Sequence, residues 1–68
     1  MDYPNGAHLT LNRLLKPQQL ADLLEVSISF VYDRTRQNAT DPIPHLKLGK
    51  YVRFDLEQVQ EWLRERTQ

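Results

Sequence analysis

Sixty-eight residues without a cysteine make one small domain, with no disulfide framework, no thiolate metal site and little room for a catalytic cleft beside a core. Lysine plus arginine and aspartate plus glutamate both number 9, so the net charge is zero and no strongly basic or acidic balance points to a partner. No apolar run reaches the length of a membrane span, and the opening MDYPNGAHLTLNR lacks the basic and apolar regions of a signal peptide, so a cytoplasmic protein is expected.

The first twelve residues hold Pro4, Asn5 and Gly6 close together and show little periodicity, which predicts a flexible segment over 1–12 and a folded domain over 13–68. Leu9, Leu11, Leu14 and Leu15 could add a short extended piece covering the core. A first helix is predicted from Pro17, because proline suits a first helical position where its missing N–H is not needed. Leu20, Ala21, Leu23 and Leu24 give that helix an apolar face, while Gln18, Gln19 and Asp22 face out. Glu25, Val26 and Ser27 then leave so short a turn that the next helix must cross steeply. Ala21 is small enough for that crossing, and Val26 can plug the gap.

Ser27 is an N-cap candidate for a second helix from about Ile28 to Gln37. Val31 is its core residue, flanked by Ile28 or Phe30 and the stem of Arg34. Ser29, Tyr32, Asp33 and Arg36 fall on the other side. Asp41-Pro42 and Ile43-Pro44 force extended backbone. The period then changes to two. Leu46, Leu48, Val52 and Phe54 read as the apolar face of a hairpin turning at Gly49-Lys50, with His45, Lys47, Tyr51 and Arg53 outward. Such a hairpin must lie on the helices to be stable. Asp55 caps a third helix, with Gln58 placed for a capping box, and Leu56, Val59, Trp62 and Leu63 form its buried stripe.

Charge is unevenly spread. From Ser27 to Arg53, Arg34, Arg36, Lys47, Lys50 and Arg53 stand against Asp33 and Asp41, a net +3; from Asp55 to Gln68 the net is −2. A helix-turn-helix followed by a basic hairpin is mainly α with a small β-hairpin, the plan of a winged helix-turn-helix. It puts a helix and a hairpin on one side of the molecule, where both can grip duplex DNA. The first turn of the second helix would face base edges through Ser27, Ser29, Tyr32, Asp33 and Arg36. Asp33 repels phosphate and suits a cytosine amino group or a salt bridge to a neighbouring arginine. Lys47, Lys50, Tyr51 and Arg53 would meet the backbone or minor groove; the alternative reading of these cations is an edge strand kept soluble. Phe30 and Tyr51 could be exposed apolar contacts, and Trp62 is read as core. His8 and His45 have no partners at metal-ligand spacing, so no metal is expected. Nothing resembles a nucleophile elbow or phosphate loop, so no enzyme, cofactor or small-molecule substrate is expected.

The run LLKPQQLADLLEVSISFVY followed by IPHLKLGKYVRFDLEQVQEWL resembles the small excisionase-family winged-helix domains, which include phage and plasmid excisionases and AlpA-type prophage regulators and are related to the MerR-type DNA-binding head. The likeness spans about Leu14 to Leu63. It implies binding to specific DNA sites without catalysis, in a recombination directionality factor or a transcriptional regulator. It also implies possible partnership with an integrase, or with further copies of the chain bound cooperatively on DNA. Carried over, Ser27, Ser29, Tyr32, Asp33 and Arg36 occupy the recognition-helix positions, and Lys47, Lys50, Tyr51 and Arg53 the wing positions. The chain departs from the pattern in having Glu25 where glycine is frequent, and a longer loop from Asn38 to Pro42. A second expectation is an interaction module that kept the fold with little DNA affinity, favoured by the neutral charge and Phe30.

Overall fold

A computed structural model describes residues 14–66. The elements run β1 (Leu14–Leu15), α1 (Pro17–Leu24), α2 (Ile28–Asp33), β2 (Leu46–Leu48), β3 (Tyr51–Asp55) and α3 (Leu56–Arg64). This is the expected winged helix-turn-helix plan, mainly helical with a small sheet. The expected boundary at residue 12, with Leu9, Leu11 and His8, lies outside the described residues.

α1 begins at Pro17, and the Lys16 N–H donates to Gln19 Oε1 at 2.9 Å, satisfying one amide before the helix. Leu20 and Ala21 are fully buried, but Leu23 points to solvent, so the apolar face of α1 is narrower than its sequence implies. The turn closes as Val26 N–H donates to the Ala21 carbonyl at 3.0 Å. Val26 packs against the core, as its position in the turn requires. Glu25 adopts a left-handed conformation, φ 59°, at the end of α1. An L-residue with a Cβ pays for this, which is why glycine is frequent at such a place. Ser27 caps α2 as expected: its hydroxyl accepts the Phe30 N–H at 3.1 Å.

α2 ends at Asp33 and not at Gln37. Arg34 N–H reaches back only to the Val31 carbonyl, and Thr35 N–H to Tyr32. Both are three-residue spans that tighten the last turn. The buried Thr35 hydroxyl donates to the same Tyr32 carbonyl at 2.9 Å. Ile43 N–H then bonds the Arg34 carbonyl at 3.0 Å, so the loop folds back and Ile43 enters the core.

The sheet has three strands in the order β1-β3-β2, all antiparallel. The third strand is the short extended piece that Leu14 and Leu15 add at the edge of β3. Within the hairpin, Leu46 pairs with Arg53, Lys47 with Val52 and Leu48 with Tyr51. Directly paired residues share a face, so the expected division of faces is corrected. Leu46, Leu48, Tyr51 and Arg53 lie on one side; Lys47 shares the other with Val52, and Phe54 follows on that inner side. The reason is parity: a two-residue loop pairs every even-numbered residue with an odd one. His45 is likewise not outward. It is half-buried, tilted against Phe54 with ring centroids 6.3 Å apart, and its Nδ1–H donates to the Ile43 carbonyl at 2.7 Å.

Gly49 has φ +63° and opens the two-residue loop. Positive φ at the first loop position alone is the II′ arrangement, whose twist matches the flanking strands. Asp55 caps α3 by accepting the Glu57 N–H at 2.8 Å, so the cap works through the second helical amide and not through a box with Gln58. Val59 and Trp62 are buried, with Leu63 packed beside them. The core is Leu20, Ala21, Val31, Ile43, Phe54, Val59 and Trp62, one residue or more from each of α1, α2, the loop, β3 and α3.

Candidate nucleic-acid interface

The side chains expected at DNA divide into three sets. Ser29, Tyr32 and Asp33 are exposed on α2 at helical spacing, and Ser29 Oγ sits 3.1 Å from Ser27 Oγ at its first turn. This is one continuous polar stripe on a helix of six residues, roughly 9 Å long. Its opposite side buries Val31, with Ile28 and Phe30 packed against the core. The stripe is therefore held in place by the crossing of α1 and α2.

Arg36 lies beyond the end of α2. It is not a helical residue, and it is paired with Asp33 at 3.2 Å. Of the two expectations for Asp33, the arrangement supplies the salt bridge. Both partners are well exposed, so the pair contributes little to stability. Arg36 can exchange a carboxylate for a phosphate oxygen at small cost. Arg34 plays another part: it is half-buried with its guanidinium 3.7 Å over the Phe30 ring. Phe30 is thereby covered and is not the exposed apolar contact expected of it. An open cleft of about 400 Å³ follows α2, lined by Asp33, Arg34, Arg36 and the loop to Asp41; its guanidinium groups are balanced by carboxylates.

The wing is the third set. From Pro42 to Phe54 the chain carries Lys47, Lys50 and Arg53 and no carboxylate. Tyr51 is 54% exposed, with Lys50 Nζ at 5.5 Å and the Arg53 guanidinium at 5.6 Å from its ring centroid. Arg53 is steadied by donating to the Val52 carbonyl at 2.8 Å. Tyr51 and Arg53 share a face and Lys50 stands at the tip, whereas Lys47 belongs to the opposite face. The wing cations thus surround the hairpin end instead of lining one side.

Leu48 is the residue that sequence reasoning missed. Assigned to the core by alternation, it is 55% exposed and stands beside Tyr51 on the outward face. The length of the loop was the signal that could have found it.

Arg66 joins the far end of α3 to the loop after α2. Its Nε donates to Asp41 Oδ2 at 2.9 Å and a second guanidinium nitrogen donates to Asp41 Oδ1. Nη1 donates to the Trp62 carbonyl at 2.6 Å, and the guanidinium lies 4.1 Å over the Trp62 ring. The Arg66 hydrogen bonds hold the Asp41 carboxyl below its ordinary value, against a desolvation effect that pushes it up.

A family model described as a helix-turn-helix domain matches residues 14–67, and the family is excisionase-like. Comparisons with curated proteins and with solved structures found no match.

Proposed function

The chain belongs to this helix-turn-helix domain family, and from that premise we propose that it is a small excisionase-like protein that binds specific sites in double-stranded DNA without catalysing a reaction. It acts as a recombination directionality factor or as a prophage or plasmid regulator. α2 enters the major groove and the wing meets the backbone or minor groove.

The observation that carries this reading is the stretch from Pro42 to Phe54, where three cations and no carboxylate sit on a rigid hairpin beside a helix with an exposed polar stripe. Phosphate contacts from Lys47, Lys50 and Arg53 fix the register but carry no sequence information. Base discrimination then falls to Ser27, Ser29, Tyr32 and Asp33, with Arg36 reaching guanine or phosphate from just past the helix. With a net charge of zero, one copy has modest nonspecific affinity. Side-by-side copies on DNA, or an integrase bound nearby, supply the rest.

The test is a titration of isotope-labelled protein with duplex DNA at low salt, followed by amide shifts. Shifts gather in 27–37 and 47–53 and fade as salt rises. Lys50→Ala and Arg53→Ala each weaken binding and lower the salt slope by about 1. The neutral net charge favours a second reading, a protein-interaction module with little DNA affinity. That reading predicts no duplex binding at any salt concentration.

A further inference from the structure

We infer that Leu48 is a specificity-determining contact: the wing tip enters the minor groove, and there Leu48 disfavours base pairs that carry the guanine N2 amino group. This rests on the DNA-binding reading and adds to it a residue and a preference that the cations cannot supply.

Leu48 and Tyr51 are the last cross-strand pair before the turn, on the same face, 55% and 54% exposed. Single exposed apolar residues are ordinary. Here two stand together on a hairpin held by a II′-type loop, with Arg53 on the same face and Lys50 at the tip, and with no carboxylate from Pro42 to Phe54. An apolar centre flanked by cations complements a narrow cleft with anionic walls. The minor groove is about 6 Å wide between its phosphate rows. A leucine with Arg53 on its own face and Lys50 at the loop tip can reach into it while the guanidinium and the ammonium group meet phosphates. Proteins that work in this groove commonly place apolar side chains there.

The chemistry then sets a preference. The minor-groove edge of every base pair offers acceptors, and a G·C pair adds the N2 amino donor, which also stands up from the floor. An isobutyl group cannot hydrogen-bond that donor. Covering it strips its water with no replacement, and an unmade buried hydrogen bond is costly.

The experiment uses two labelled duplexes of equal length, one with G·C pairs and one with inosine in place of every guanine. Inosine removes the N2 amino group and keeps the major-groove edge of guanine. Anisotropy titrations at low salt are expected to give roughly fivefold tighter binding of the inosine duplex by the natural protein. Leu48→Thr, a residue that keeps strand preference, is expected to erase that ratio and leave the salt slope unchanged. Leu48→Met, which keeps an apolar reach, retains it. If the natural protein and Leu48→Thr give the same ratio, the inference is overturned while DNA binding stands. If the natural protein binds neither duplex, the DNA-binding reading itself fails, and this inference with it.

Discussion

Glu25 is the one non-glycine residue with positive φ among the described residues. Left-handed backbone costs an L-residue about 1–2 kcal/mol, part of which glycine would return by having more freedom to lose on folding. Glu25 is exposed, so its side chain gives no compensating burial. Glu25→Gly is therefore expected to stabilise the domain by about 0.5–1 kcal/mol. Thermal unfolding followed by circular dichroism should show Tm rising by about 3–6 °C; a lower Tm would mean that the turn needs the glutamate. At this scale the sequence was most legible where chemistry is local. Ser27 and Asp55 were recognisable as caps because each bonds an amide two or three residues away. Leu23 and His45 were misplaced because their exposure is decided by elements distant in the chain.

The same division holds for whole elements. The order of helices and hairpin is readable from the change of period, and so are the two faces of β3, but the faces of β2 are the reverse of those the alternation implies. Alternation along Leu46, Leu48, Val52 and Phe54 looks like one apolar face only if loop parity is ignored. The end of α2 was missed for another reason: apolar spacing says nothing of a buried Thr35 turning the chain through the Tyr32 carbonyl. A helix of six residues has no stability by itself, so its cap and its packing decide whether the recognition surface exists. Ser27→Ala is expected to destabilise the domain by about 1 kcal/mol. Urea unfolding would show a lower midpoint with an unchanged slope, and amide exchange would show the largest loss of protection over 28–33. An unchanged midpoint would show that the crossing with α1 holds α2 without its cap.

Across the molecule, the far end of the long loop after α2 is held to the rest of the domain at two neighbouring residues. Ile43 is buried in the core, and two residues before it Asp41 meets Arg66, which also covers Trp62. The sequence offered no sign of this pairing, since Asp41 and Arg66 are 25 positions apart and charge patterning reports only near neighbours. The arrangement makes stability depend on pH in a definite direction. Arg66 remains charged throughout, so the titrating partner is Asp41, whose carboxyl lies below its ordinary 3.8 in the folded state. A carboxyl with a depressed folded value binds protons more readily when unfolded. Its contribution is therefore complete above pH 3.8 and is lost as pH falls through the folded value. Glu65 places a second carboxylate 3.6 Å from Arg66, so acid unfolding of the natural protein alone cannot assign the effect. The comparison that isolates Asp41 is Asp41→Asn. It should lower Tm near neutral pH, and the gap to the natural protein should narrow as pH falls below 3.8. A gap that stays constant down the acid limb would mean that the loss comes from packing against Trp62, with no share from the charge pair.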